Sequence, residues 1–385
     1  MSLSTEVKKV YLDNAATTPI FDEVVDLMSN SMREIYGNPS STHQFGRTAK
    51  SAIEGARKSI AKQIGVAANE LIFTSGGTEA NNLILNNAVR NLEVQHIITS
   101  KVEHHAVLKA VRQLEKDTAI QVSYVGVLAD GTIDYKHLEQ LLSSSDKKTL
   151  VSLMFVNNEV GSILAIDTVT SLCKTYEALF HSDAVQSIGH FDLDINTLGI
   201  DFISVSAHKF HGPKGIGFAY FRKGFGVQPM LLGGSQEKGA RAGTEAVHAI
   251  LGMDLALQMS LNTLQEDIQH IKHIKSHCVA ALKAQIPNIA FNANSEDLKT
   301  KTVTLLNVRL PKDLPFIMFH LDMKGIAVSG GSACQSGSDI GSHVLNELLE
   351  ETEAGKTSLR ISFNKFTSVS DIDYVVQALK GLLEN

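Results

Sequence analysis

The sequence predicts an α/β protein: a mainly parallel sheet covered by helices on both faces, followed by a smaller α+β region. Three observations predict it. From residue 71 to about residue 221, short β-rich runs alternate with stretches of helical periodicity, the pattern of strand–helix–strand units. The polar residues able to do chemistry fall just after those runs, where open α/β sheets place their ligands. The length of 385 residues exceeds one ordinary core, so a large and a small domain are expected.

Composition narrows the function. With 43% hydrophobic and 20% charged residues the chain reads as an ordinary globular protein. The net charge of −6 gives no reason to expect nucleic acid or an anionic membrane surface as partner. No apolar run approaches the roughly 20 residues of a membrane helix. The start, MSLSTEVKKVYLDNAATTP, lacks the apolar core of a secretory signal. Cys173, Cys278 and Cys334 are scattered and form no CxxC pair. Neither a disulfide framework nor a structural zinc site is expected, and a reducing cytoplasm is the natural compartment.

In chain order, Lys9 to Leu12 reads as a short strand, leading to the small polar stretch Asp13-Asn14-Ala15-Ala16-Thr17-Thr18-Pro19, suited to a loop near a ligand. Phe21 to Tyr36 and Arg47 to Ile64 carry helical spacing, separated by the turn cluster Gly37 to His43. Leu71 to Thr74 is a strand that runs into Ser75-Gly76-Gly77-Thr78-Glu79 and a helix through Val89. This turn matches neither GxGxxG nor GxxxxGK[ST]. It suits a phosphate at a helix start and equally suits a plain cap by Ser75 or Thr78.

His96 to Ser100 is a strand delivering Glu103-His104-His105, followed by a helix through Leu114. A strand from Val122 to Leu128 precedes a helix from Lys136 to Ser143. Thr149 to Val156 is a continuous apolar run that reads as a buried parallel strand ending at Asn157-Asn158-Glu159. A helix from Asp167 to Tyr176 leads to the strand Ala178 to His181 and then Ser182-Asp183-Ala184-Val185-Gln186.

Asp201 to Val205 is the next strand, and it ends at Ser206-Ala207-His208-Lys209-Phe210-His211-Gly212-Pro213. A partner strand covers Ile216 to Phe221. A lysine here, beside serine and two histidines, either belongs to a basic loop capping the strand or is an amine kept for a carbonyl compound, with pyridoxal phosphate the usual one. Thr78, His104, Asn158, Asp183, Gln186, Ser206, His208 and Lys209 all stand at predicted strand ends, a coincidence that scattered structural roles do not explain.

Beyond Phe221, Leu231 to Thr244 is a Gly-rich loop too long for a hairpin. A helix from Leu261 to Leu282, strands near Thr302 to Leu306 and at Ile326 to Val328, and a helix from Leu314 to Leu321 suggest the smaller α+β domain. Ser329 to Ser338 is almost all glycine, serine and alanine around Cys334, which predicts mobility. A thiol on such a loop is either incidental or a nucleophile once ionised. Cys173 and Cys278 sit on helix faces and read as structural. Ser358 to Phe363 is a strand with Arg360 amid apolar neighbours, suited to a carboxylate or to an ordinary salt bridge.

Taken together and in order, the motifs at Asp13–Thr18, Gly37–Ser40, Thr74–Glu79, Glu103–His104, Val156–Gly161, His181–Gln186 and Ser206–Lys209 resemble those of the cysteine desulfurases of the NifS/IscS type. These belong to the class-V aminotransferase group of pyridoxal phosphate enzymes. The resemblance runs from about residue 10 to about residue 370. It implies the fold type I transferase architecture, with a mostly parallel seven-stranded sheet in a large domain over 15–258. Residues 1–14 and 259–385 would form a small α+β domain carrying the cysteine loop.

The resemblance also implies roles. Lys209 would be the Schiff-base lysine and the base for the substrate α-proton, and Asp183 the partner of the pyridine nitrogen. His104 would stack on the ring and move protons. Asn158 and Gln186 would bond the phenolic oxygen region. Gly77, Thr78, Ser206 and His208 would hold the phosphate, and Thr244 would reach the phosphate of a partner subunit in a homodimer with shared sites. Many family members read Arg-Ser-Gly-Thr where this chain has Arg241-Ala242-Gly243-Thr244. Arg360, with Asn38 and Asn158, would bind the carboxylate of L-cysteine. Cys334 would take the sulfur as a persulfide, leaving L-alanine, and pass it to an acceptor, an iron–sulfur scaffold or a tRNA-thiolation carrier. An aminotransferase or β-lyase, the nearest rival, would not need the Cys334 loop.

Overall fold

The computed structural model describes residues 8–330 and 341–384. Its strands are β1 (Val10–Tyr11), β2 (Leu71–Thr74), β3 (His96–Ser100), β4 (Gln121–Val125), β5 (Thr149–Ser152), β6 (Leu179–Asp183), β7 (Phe202–Ser206) and β8 (Gly217–Phe221), then β9 (Ala290–Phe291), β10 (Leu305–Arg309), β11 (Ile326–Ala327), β12 (Ser329–Gly330) and β13 (Ser358–Ser362).

Seven of them form the large sheet in the order β2-β8-β7-β6-β5-β3-β4. β3 to β7 pair parallel, while β8 pairs antiparallel with both β7 and β2. Six strands therefore point their carboxyl ends to one edge. β2, β3, β5, β7 and β8 are buried along their whole length, as a sheet covered on both faces requires. The helix Gly77–Arg90 covers one face with Ala80, Leu83, Ile84 and Ala88. On the other, the helix Gln44–Gln63 buries Ala49, Ile53, Ala56 and Ile60 in the largest apolar cluster.

A second body has its own core. β12-β13-β10-β9 form an antiparallel sheet and β1 pairs parallel with β11. Val10 and Leu12 join Leu306, Val308, Ile361 and Val376 in its apolar cluster, so the start of the chain packs with its end.

Several elements differ from expectation. The apolar run Thr149–Val156 leaves the sheet after Ser152; Leu153 and Phe155 still donate to the carbonyls of His181 and Asp183, but β6 ends at Asp183 and offers no further ladder. The predicted helix Leu261–Leu282 starts at Leu264 and runs to Gln285, and a separate helix without a counterpart in the sequence reading, Val247–Asn262, precedes it. They part at Thr263, whose hydroxyl bonds the Asp267 carboxylate at 2.7 Å; the first helix packs in the large-sheet core and the second in the other. The strand expected near Thr302–Leu306 begins only at Leu305, because Thr302 and Thr304 bond each other through their hydroxyls at 2.9 Å. The helix Val369–Glu384 at the end of the chain had no counterpart in the sequence reading.

Candidate active site

A cavity of about 280 Å³ opens at the carboxyl ends of the large sheet. The carboxyl ends of β2, β3, β5, β6 and β7 each lead to groups that line it, and Ala15 and Ala16 line it from the far end of the sequence.

β2 ends in the turn that starts the helix Gly77–Arg90. Gly76 has φ +147, a left-handed conformation that favours glycine. A Cβ on Gly77 would lie 2.5 Å from Cγ2 of Val185. Backbone N–H groups at this helix start therefore stand close to Val185 and Ser206 with no side chain between. That is a cradle shaped for an anion at the positive end of a helix.

β6 ends at Asp183, which is only 6% exposed. Its Oδ2 accepts from Nδ2 of Asn81 at 2.7 Å and its Oδ1 from the N–H of Val185 at 3.0 Å. A buried carboxylate held this way suits a protonated ring nitrogen.

β7 ends in one helical turn, Ala207–Lys209. Nζ of Lys209 donates to the carbonyls of Ala15 and Ala16 at 2.6 and 2.8 Å. His190 donates from Nε2 to the Lys209 carbonyl at 2.8 Å and fixes the turn. Gln186 donates to the Ala15 carbonyl at 2.9 Å, and the Nδ1 of His208 lies 3.2 Å from the Thr17 hydroxyl. Burial first, then Lys209 and Lys214, push the His208 imidazole down to about 4.

His104 caps the helix His105–Asp117: its Nδ1 accepts from the N–H of Ala106 at 3.1 Å. The ring proton is therefore on Nε2. Burial holds this imidazole below its ordinary range; Asp183 opposes the shift and Lys209 adds to it. Arg360, 3% exposed on β13, donates from Nη1 to the Asn158 carbonyl at 2.9 Å and from Nη2 to Asp13 at 3.0 Å. Its Nε is buried with no partner among the described residues.

Gly77, Thr78, His104, Asn158, Asp183, Gln186, Ser206, His208, Lys209 and Arg360 thus line one cavity. Asn38 does not: it is exposed, and its Oδ1 accepts from the N–H of Ser40 at 2.9 Å, closing its own turn. Thr244 is exposed and lies outside the cavity of its own chain. Cys334 lies outside the described residues. Of the described residues that flank it in sequence, Ser329 bonds Arg360 at 3.3 Å and the Ser342 hydroxyl bonds the Glu159 carboxylate, and both partners line the cavity. Cys173 and Cys278 are buried, which pushes both thiols up to about 12. Among the described residues no group of three or more His, Cys, Asp or Glu could hold a metal ion, and no helix is long and apolar enough to cross a membrane.

Sequence reasoning missed three groups. Asn81 sits one helical turn beyond Thr78, a spacing that puts both on the same face. His343 lines the cavity, donates from Nε2 to the Glu103 carbonyl at 2.9 Å, and its ring lies 4.4 Å from that of His105. Glu103 is buried; its Oε1 accepts from the N–H of Met154 at 2.9 Å and from the Ser100 hydroxyl at 3.1 Å. Burial pushes its carboxyl up to about 8.

Residues 10–375 match the model of the aminotransferase class-V family. The chain is 39% identical to the cysteine desulfurase IscS of Dictyoglomus turgidum, over 98% of this chain and 95% of that protein. Among solved structures it is similar to a NifS-like protein, with 34% identity, a TM-score of 0.90 and coverage of 98% and 100% of the two chains. It is also similar to SspA in complex with cysteine, with 31% identity, a TM-score of 0.79 and coverage of 93% and 99%.

Proposed function

The chain belongs to the class-V aminotransferase family and is a cysteine desulfurase, and from that premise we propose which of its residues do the work. Lys209 is the amine that would hold the aldehyde carbon of pyridoxal phosphate, and Asp183 would hold the ring nitrogen. Gly77, Thr78, Ser206 and His208 would hold the phosphate, joined by Thr244 of a second copy in a homodimer. Asn158 and Gln186 would bond the phenolic side and His104 would cover the ring face. When bound, the ring supplies an electron sink for the substrate α-carbon.

The chain's own groups do the rest. Arg360 binds the carboxylate of L-cysteine with its planar fork, and Asn158, already bonded to that fork, orients it. Asn38 would join them by opening its own turn. Lys209 takes the α-proton, and His104, kept neutral by burial, moves protons within the site. The thiolate of Cys334 attacks the substrate sulfur. The S–S bond forms as the Cβ–S bond breaks and the electron pair stays on Cβ; protonation there, and return of a proton to the α-carbon, complete L-alanine. The persulfide on Cys334 then passes to an acceptor protein, an iron–sulfur scaffold or a thiolation carrier. The reading takes 15–258 as the cofactor-binding domain, 1–14 with 259–385 as the small domain, and the cytoplasm as the compartment.

One observation carries this reading: Lys209 in the turn after β7, Asp183 at the end of β6 and Arg360 on β13 converge on one cavity. Its test is the visible spectrum of the purified protein. The unaltered chain should absorb in the visible region with pyridoxal phosphate, and Lys209→Ala should lose that covalent chromophore and alanine production together. Full alanine production by Lys209→Ala would end the assignment.

A further inference from the structure

Glu79 stands in the first turn of the helix Gly77–Arg90, beside the turn assigned above to a phosphate. A carboxylate there favours the helix dipole but repels a bound anion. Arg241, 162 residues further along the chain, meets it. Its Nε lies 2.8 Å from Oε1 of Glu79 and its Nη2 3.2 Å from Oε2. Oε2 also accepts from the N–H of Ser75 at 2.7 Å, so the ion pair is tied to the turn itself. The two side chains are only 23% and 10% exposed, which limits screening.

The segment that carries Arg241 is itself fastened. Glu237 receives both arms of Arg57, at 2.7 and 2.8 Å, with each side chain 3% exposed. Oε2 of Glu237 also accepts from the N–H of Phe73 at 2.9 Å, on the strand that runs into the turn. Glu237 and Lys238 hold left-handed φ values of 46° and 57°, a strained backbone for residues with a Cβ that persists only under such contacts. Residues 236–244 thus form a strap fastened to β2 through Glu237, and its Arg241 meets Glu79, which is bonded to the N–H of Ser75 in the turn.

We propose that Arg241 is a positioning residue that cancels the Glu79 charge at the phosphate turn, so that cofactor affinity depends on the seated strap. This rests on the reading that the Ser75–Thr78 turn receives the phosphate of pyridoxal phosphate. It concerns two residues to which that reading gives no part.

The test is titration of the cofactor-free protein with pyridoxal phosphate, and with unphosphorylated pyridoxal, at low salt. Arg241→Gln should weaken pyridoxal phosphate binding about tenfold, the effect of leaving one close, partly buried like charge uncompensated. Glu79→Gln alone should not weaken it. Adding Glu79→Gln to Arg241→Gln should recover affinity to within roughly threefold of the unaltered chain, because the repulsion is then gone. Pyridoxal, lacking the phosphate, should respond to none of them by more than about twofold. A purely structural ion pair gives the opposite pattern: Glu79→Gln as harmful as Arg241→Gln, no recovery in the double variant, and equal losses for both ligands. That pattern, or an unchanged affinity in Arg241→Gln, overturns the proposal. If Arg241→Gln fails to fold, Arg241→Lys takes its place, with a loss smaller than threefold expected for a retained charge and a tenfold loss contradicting it. If the unaltered chain binds pyridoxal but gains nothing from the phosphate, the phosphate reading itself has failed.

Discussion

The side-chain amide of Asn81 donates to Oδ2 of Asp183 across 2.7 Å, joining the helix Gly77–Arg90 to the carboxyl end of β6. The bond fixes the plane of a carboxylate whose other oxygen is already held by the N–H of Val185. It also leaves Oδ1 of Asn81 buried without a partner among the described residues, so the amide sits there for the bond it makes.

Asn81→Ala should therefore reduce the rate while leaving the cofactor bound. Losing one hydrogen bond to a buried charged group costs about 1.5–3 kcal/mol, so kcat should drop by roughly tenfold to a hundredfold. Steady-state alanine production against the visible spectrum checks it. Asp183→Asn should be far more severe, since it removes the charge as well as the geometry.

Arg360→Lys should separate KM from kcat. The fork now serves the Asn158 carbonyl and Asp13 at once, and a lysine offers a point charge without the planar pair of donors. KM for L-cysteine should rise by about tenfold or more, with kcat falling less. An unchanged KM would remove Arg360 from carboxylate binding.

Glu103 gives a pH signature of stability. Its folded pKa of about 8 lies above its ordinary value of 4.5 because burial disfavours the charge. Between those values the folded protein keeps a proton that the unfolded chain has lost. The associated stability is complete below 4.5 and is lost as pH rises through about 8. Glu103→Gln, neutral at every pH, should therefore gain Tm relative to the unaltered chain as pH is raised from 5 to 8. The limiting slope is about 1.4 kcal/mol per pH unit. A Tm difference that does not change with pH would show that Glu103 is charged in the folded state.

Much of the fold was legible because strands buried on both faces leave continuous apolar runs. Leu71–Thr74 and His96–Ser100 match the expected bounds. The same signal overran at Leu153–Val156, which is buried and keeps only the bonds of Leu153 and Phe155 to the end of β6. The break at Thr263 was illegible because a hydroxyl bonded to Asp267 and Lys365 sets it, not a glycine or proline. In the site, residues at strand ends were readable because each follows an apolar run. Asn81, His343 and the Arg241–Glu79 pair were not, since each acts through a partner distant in sequence and carries no local pattern. Asn38 read as a substrate ligand from its motif, yet in this chain its side chain serves its own turn.

The most direct measurement is the mass of tryptic peptides after the purified protein meets L-cysteine without reductant, read alongside alanine. The account predicts one added sulfur on the peptide bearing Cys334, matching early alanine production, and neither product from Cys334→Ala. Alanine formed at full rate by Cys334→Ala, or the added sulfur found on Cys173 or Cys278 instead, would contradict it.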